Sequence, residues 1–228
     1  MFNEFLFSTQ HLIILSLFSV FLFICPRLTK NLLPYSYLVE KIICLFIILE
    51  IILEQAFLIS SDSYNVLTSL PLDISRICAY LAVAILFFKQ YQLFDVFFSW
   101  SIVCSVGEII FFKDIGYRFP HTLHFLFIFS KCVLVYTTVY LVEVRKFKIS
   151  SLAIKYNLVA CLLFFLPIIF LNIFIGGSYS YSFSSHTFLS IFIFICSTTL
   201  VYVLSFLFDK DLFNSDLINI KMKSKTKK

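Results

Sequence analysis

Long apolar runs separated by short polar breaks dominate the chain. Seven runs approach or exceed the ~20 residues that a helix needs to cross the hydrocarbon core of a bilayer. They cover about residues 9–25, 41–59, 70–88, 93–112, 121–142, 154–175 and 187–208. Barrel strands are excluded, because they would alternate polar and apolar residues over about ten positions. The pattern predicts an all-α, polytopic membrane bundle of about seven transmembrane helices.

The composition supports the membrane class and limits how the helices can pack. Hydrophobic residues make up 61% of the 228 and charged residues only 14%, against about 25% charged in soluble domains. A soluble domain, a coiled coil and a disordered chain are therefore excluded. The sequence has four Gly and 31 Phe, so Ser, Ala, Cys and Phe must form the helix contacts. We predict one transmembrane domain over residues 1–208 and a basic cytoplasmic tail over 209–228.

The basic residues predict the orientation, because Lys and Arg near span ends stay cytoplasmic. Fourteen of the eighteen fall in the tail or in alternate loops, which places the N-terminus outside and the C-terminus inside. The net charge of +5 then follows from topology, and no nucleic-acid partner is indicated. We expect a multi-pass protein of the cell membrane whose partners are membrane lipids.

Ionisable residues inside the spans are the main functional candidates, since each costs at least ~2.5–3.5 kcal/mol to insert. With the predicted orientation and a rise of ~1.5 Å per residue, they converge on the outer half of the bundle. These residues are Glu50, Glu54, Asp73, Arg76, Glu108, His124 and Lys131, joined on the same side by His11, Asn172 and Tyr179. We predict that this group lines a polar cavity that opens outward.

Pairing of opposite charges is the structural alternative to a cavity. Glu50 and Glu54 are four residues apart and share a helix face. Four carboxylates face Arg76 and Lys131, so pairing would neutralise two of them. The others would have to be protonated, paired with histidine or hydrated. A buried ion-pair network and a hydrated cavity both remain open at this point.

Metal and thiol sites have weak support in the sequence. His121 and His124 are three residues apart, and with Glu54 and Glu108 they offer nitrogen and oxygen ligands. His121, however, follows a proline at an interface, where histidine commonly serves as a hydrogen-bonding cap. The seven Cys contain no CxxC pair. We therefore predict no metal and no cofactor.

Several short landmarks occur in a recognisable order. Ser8-Thr9-Gln10-His11 opens the first span, Leu70-Pro71-Leu72 the third and Phe119-Pro120-His121 the fifth. Glu50, Trp100, Asp114, Asn172 and Gly177-Ser178-Tyr179 occur between and after them. Together they resemble the YwaF-like family of bacterial integral membrane proteins, which is related to an animal transmembrane acyltransferase. The resemblance covers residues from about 8 to 183.

The resemblance implies a helical bundle and acyl transfer on lipids, with a Cys nucleophile and a His base. At the nucleophile position, where Leu-Pro-Leu-His-Leu-Cys is expected, the chain has Ser75, and Asp73 replaces the His of that stretch. At the base position, where Ser-His-Gly is expected, it has Lys131. The tripeptide ending in Tyr179 also departs from the expected Gly-Ala-Asn-Tyr. These replacements leave open whether the chain is an enzyme.

The leading hypothesis is lipid acyl transfer or ester hydrolysis, with Ser75 as nucleophile and His124 or Lys131 as base. Depth in the membrane favours His124, because Lys131 lies about ten residues into its span and therefore below the level of Ser75. Asp73 and Arg76 would position the base or an anionic headgroup. The alternative is a non-enzymatic protein: a small-solute or proton-coupled permease, or a scaffold or binding subunit. A permease would use Glu50, Glu54, Glu108 and Lys131 as a relay, although no inverted repeat is visible.

Overall fold

A computed structural model describes residues 9–30, 33–61, 64–65, 69, 71–110, 122–174 and 187–208. Seven α-helices account for most of them, and no strand occurs in these ranges. Short 3₁₀ turns, Leu33–Tyr35 and Tyr91–Leu93, lead into the second and fourth helices. The helices are α1 Thr9–Lys30, α2 Ser36–Ser60, α3 Ile74–Leu86, α4 Phe94–Ile110, α5 Thr122–Glu143, α6 Ala153–Phe174 and α7 Thr187–Phe208.

The helices confirm an integral membrane protein built as a polytopic helical bundle. Six of them are long and apolar enough to cross a bilayer when the 3₁₀ turn before α4 is counted. The exception is α3, which has 13 residues and begins at Ile74 rather than at residue 70. Asp73 before it has an extended backbone, with φ −61° and ψ 150°. Thus the predicted third span is shorter than expected.

The central helix of the bundle is α4. Thirteen of its 17 residues are buried, and it packs against α3, α5, α6 and α7. The outer helices bury one face and expose large apolar side chains on the other, such as Leu163 on α6, which is 72% exposed. In water such a surface would be unfavourable, whereas lipid tails solvate it. The fold therefore has a lipid-facing shell around a buried α4.

Polar side chains join α4 to its neighbours. The indole N–H of Trp100 donates to Asn157 Oδ1 at 2.7 Å, and the Asn157 amide donates to Thr198 Oγ1 at 2.9 Å. These contacts connect α4, α6 and α7. Ser101 and Thr138 share a hydrogen bond of 2.6 Å between α4 and α5. Small polar side chains thus supply close helix contacts in a chain that has few glycines.

Two helices end in the same unusual way. Lys89 follows α3 and Lys146 follows α5, and both adopt the left-handed region, with φ of 59° and 58°. In each case the next residue's N–H donates, at 3.0 Å, to the carbonyl five positions before the lysine. Each bond links residues six positions apart, one more than the bond that closes a Schellman cap, and glycine is the usual residue at the left-handed position of such helix ends. A lysine at each of these C-termini also interacts favourably with the helix dipole.

Candidate functional site

The predicted polar residues meet between four helices. We call this group the outer cluster, because it lies at the bundle end that is predicted to face outward. Two residues come from α2, two from the first turn of α3, and one each from α4 and α5. The outer cluster consists of Glu50, Glu54, Ser75, Arg76, Glu108 and Lys131.

Arg76 joins α3 to α2 by contacting two carboxylates at once. Its Nη1 pairs with Glu50 and its Nη2 pairs with Glu54. The planar guanidinium presents several donors in a fixed fork, and the four-residue spacing of the two acids places both on the face it meets. The two cations thus contact three of the four predicted carboxylates, although their two positive charges balance only two of them. Arg76 alone accounts for two, and Lys131 pairs with a third.

Lys131 joins α5 to both α3 and α4. Its Nζ donates to Ser75 Oγ and lies 2.8 Å from Glu108 Oε2, and all three residues are buried. The depth argument against Lys131 was wrong, because helical side chains point toward their own helix N-terminus. On α5 that direction leads back toward Ser75. Lys131 is thus the described basic residue that reaches the predicted nucleophile.

A pocket lies beside this contact, between α2, α3 and α5. Glu50, Ser75 and Arg76 line it. Its cavity volume is about 10 Å³, which is room for about one water molecule. Phe46 and Phe129 line its lipid-facing side. They are 47% and 42% exposed, and their rings meet edge to face at 5.9 Å. The pocket therefore adjoins the lipid-facing surface and is narrow.

One carboxylate oxygen at this pocket stands apart. Glu50 Oε2 binds Arg76, whereas Glu50 Oε1 is buried and has no hydrogen-bond partner among the described residues. Leaving a buried charged acceptor unpaired is costly. An N–H or O–H donor that entered the pocket would satisfy it.

The other predicted site residues divide between the same end of the bundle and other places. His11 is fully buried, and its Nε2 lies 2.9 Å from the carbonyl of Ile109, next to Glu108. Asp73 is exposed, and its carbonyl accepts the N–H of Arg76. Asn172 lies near the end of α6, which packs against α4 and α7, away from the pocket. His11 thus contacts the neighbour of Glu108, and Asp73 lies two residues before Ser75, whereas Asn172 does not line the pocket.

Three predicted residues are not fully described. His121 and Tyr179 lie outside the described residues. His124 falls in the first turn of α5, but its side chain also lies outside them. Within the described part of the chain, no group of three His, Cys, Asp or Glu residues is placed to hold a metal ion.

Sequence reasoning missed a second buried charge group at the opposite end of the bundle. We call it the inner cluster: the buried carboxylate of Glu40 pairs with Lys89 and with Arg145, whose Nε is 3.0 Å away. Asp95, also missed, accepts hydrogen bonds from the N–H and hydroxyl of Ser150 at 3.0 and 2.6 Å. The available signal was a single acid at the start of each of two spans, beside loops whose basic residues were counted only for orientation.

The family comparison covers this whole arrangement. The model of the TMEM164 family matches residues 6–208, a range that contains all seven helices and both clusters. The chain belongs to the TMEM164 family. This is an animal transmembrane protein family, so the match supports the predicted relation to animal proteins but not the YwaF-like bacterial assignment. No curated protein and no solved structure matches the chain.

Membership of the TMEM164 family defines a membrane protein with several apolar helices and leaves its reaction open. The family range ends at residue 208, where the predicted basic tail begins. The tail itself lies outside the described residues. Both clusters therefore belong to the TMEM164 family region rather than to an appended segment.

Proposed function

We propose that this TMEM164-family protein transfers or hydrolyses the acyl group of a membrane lipid, with Ser75 as the nucleophile. The observation that carries the proposal is the contact of Lys131 Nζ with both Ser75 Oγ and Glu108 Oε2, beside a pocket that adjoins the lipid. A nucleophile within hydrogen-bond reach of a base, which a third group orients, is the usual arrangement in covalent catalysis.

Proton transfer would follow the chain of contacts. A serine hydroxyl attacks an ester only if a base removes its proton. Lys131 becomes that base once it passes a proton to Glu108 Oε2, which leaves both side chains neutral. As Ser75 Oγ bonds to the ester carbonyl carbon, its proton moves to Lys131 Nζ. Lys131 then returns that proton to the departing alcohol, and Ser75 holds the acyl group.

The second half of the reaction repeats these steps in reverse. A lipid hydroxyl, or water, attacks the acyl–Ser75 carbonyl while Lys131 Nζ accepts its proton. The Ser75–acyl bond then breaks, and Lys131 returns the proton to Ser75 Oγ. Serine–lysine pairs perform acyl chemistry of this kind in unrelated folds. Transfer to a lipid or hydrolysis is then decided by which hydroxyl enters the pocket.

Access from the membrane would pass between α2 and α5. Phe46 and Phe129 border the pocket on its lipid-facing side, and the space behind them holds about one water. An ester group enters only if these rings turn aside. Arg76, occupied by Glu50 and Glu54, would hold the α2 and α3 walls together rather than bind a headgroup.

The permease alternative has less support from the described residues. The acids of the outer and inner clusters lie in opposite halves of α2, and Glu40 and Glu50 are ten residues apart, or ~15 Å along the helix. Ile43, Cys44 and Ile47 are buried between them. The buried face of α2 is therefore apolar between its two acidic ends, and a transport path would need polar groups there.

The test is covalent labelling of the purified full chain in lipid nanodiscs with a lipid-like fluorophosphonate, which reacts with activated serines. We expect Ser75→Ala to lower labelling and lipid ester turnover at least about a hundredfold. The matched control is Ser105→Ala, because Ser105 is buried in α4 and its Oγ has no described hydrogen-bond partner. Equal labelling of Ser75→Ala and the unchanged protein would refute Ser75 as the nucleophile.

A further inference from the structure

A larger pocket lies at the inner end of the bundle, between the start of α2 and the end of α3. Its cavity volume is about 130 Å³. The corresponding value for the outer pocket is about 10 Å³. Tyr37, Glu40, Lys41, Phe87 and Lys89 line it. The inner pocket therefore has room for a group several times larger than a water molecule.

Positive charge exceeds negative charge around this pocket. Glu40 is its carboxylate, and it already pairs with both Lys89 and Arg145. Lys41 takes part in none of the ion pairs among the described residues; its Nζ instead lies 4.3 Å from the ring centre of Tyr37. Lys41 and Lys89 in the lining exceed the single carboxylate of Glu40 by one positive charge, and Arg145, which pairs with Glu40 but does not line the pocket, adds a second. The excess positive charge favours the binding of an anion at this pocket.

Lys89 reaches the pocket from an unfavourable backbone conformation. Lys89 has φ of 59°, a conformation that disfavours side chains with a Cβ by about 1 kcal/mol. Its Nζ pairs with Glu40 and lies 5.9 Å from the ring centre of Tyr37, the same ring that Lys41 covers. Lys41 and Lys89 therefore flank one aromatic ring at the mouth of the pocket.

The rim of the pocket is suited to lipid rather than to a soluble anion. Tyr37 and Phe87 line the pocket and are 62% and 56% exposed. Phe88 lies beside the pocket, is 64% exposed and meets the Phe87 ring edge to face at 5.2 Å. Aromatic residues beside basic residues at helix ends are typical of the headgroup level of a bilayer. A phospholipid whose phosphate is held by the lysines would place its acyl chains along the exposed apolar face of α2.

We propose that the inner pocket binds the phosphate of an anionic phospholipid, with Lys41 and Lys89 as its ligands and Phe87 and Phe88 packed against its chains. Basic pockets between transmembrane helices on the cytoplasmic side take anionic headgroups for the same electrostatic reason. The site is separate from Ser75 and requires no catalytic turnover.

The test uses the purified full chain in neutral detergent at physiological salt, with fluorescent phosphatidylglycerol as the probe and phosphatidylcholine as the neutral competitor. We expect Lys41→Gln and Lys89→Gln each to weaken phosphatidylglycerol binding about fivefold, which corresponds to ~1 kcal/mol per lysine. Phosphatidylcholine should compete poorly.

Two matched controls separate a site from diffuse attraction. Lys146→Gln removes a lysine with the same left-handed backbone at the end of α5, and Lys155→Gln removes an exposed lysine from the first turn of α6. Both should bind like the unchanged protein. Weakening by either control equal to that of Lys41→Gln would overturn the site. Equal competition by inorganic phosphate at the same concentration would overturn the lipid and assign a free anion instead.

Discussion

The two ends of α2 carry acidic residues in opposite surroundings. In the outer cluster, three carboxylates face two cations, and the side chains of Arg76 and Lys131 are only 12% and 4% exposed. In the inner cluster, one carboxylate faces Lys89 and Arg145, which are 37% and 27% exposed. The cations of the outer cluster are buried and face an excess of acid, whereas those of the inner cluster are partly exposed and exceed the acid they face.

This difference in exposure determines how much stability is lost when an ion pair in each cluster is broken. Two ions in a dry setting have each lost their hydration, so breaking a pair leaves a charge that nothing solvates. At the inner end, the partly exposed cations keep water as an alternative partner, and their attraction is weaker. Substitutions in the outer cluster should therefore lower the stability of the protein strongly, and substitutions in the inner cluster should lower it less.

The largest expected effect is that of Arg76→Met. It leaves Glu50 and Glu54 facing each other without a counterion, and breaking a buried pair costs about 3–5 kcal/mol. Thermal unfolding of the purified protein in detergent measures the loss. The triple variant Arg76→Met, Glu50→Leu, Glu54→Leu should recover most of it. A loss below about 1 kcal/mol for Arg76→Met alone would mean that water already reaches the outer cluster, and the contrast between the ends would fail.

A smaller effect is expected from Glu40→Gln at the inner cluster. The amide keeps the shape and part of the hydrogen bonding, while Lys89 and Arg145 turn toward water, so the cost should be about 1–2 kcal/mol. The same unfolding measurement, repeated at low and high salt, checks it. Glu143→Gln serves as the control, because Glu143 is 45% exposed. A cost as large as that of Arg76→Met would show that the inner cluster is equally dry.

The smallest effect should come from Lys30→Gln, which breaks the pair with Glu143 at 3.0 Å. Both side chains are nearly half exposed, at 47% and 45%. Exposed pairs contribute ~0–1 kcal/mol, and salt screens them. The unfolding midpoint of Lys30→Gln should therefore differ little from that of the unchanged protein, and the small difference should vanish at high salt. A larger shift would indicate that α1 depends on this contact to pack against α5.

Much of the outer cluster could be predicted because each member is anomalous within an apolar run. Glu50, Arg76, Glu108 and Lys131 are ionisable residues in spans, and the predicted orientation placed all four in the outer half of the bundle. Their pairing could not be predicted from depth alone. It depends on side-chain direction and on which helices are neighbours, and these lead Lys131 back to Ser75.

The inner cluster was harder to predict because its members look ordinary one at a time. Lys89 and Arg145 count as loop residues that set orientation, and Glu40 lies only one turn inside α2. Their partners are 49 and 105 residues away along the chain. Only the packing of α2 against the ends of α3 and α5 brings them together. The number of helices was predictable from hydropathy, whereas the late start of α3 followed from a local break at Asp73.

The shortness of α3 has a consequence for the membrane around it. Thirteen residues rise ~20 Å, against a hydrocarbon thickness of ~30 Å. A bilayer accommodates such a mismatch by thinning locally. With the Lys89 end held among headgroups, the thinning would fall on the leaflet beside the first turn of α3. Phospholipid ester carbonyls, which lie where headgroups meet acyl chains, would then be lowered toward Ser75, so the length of one helix would decide which lipid atoms reach the site.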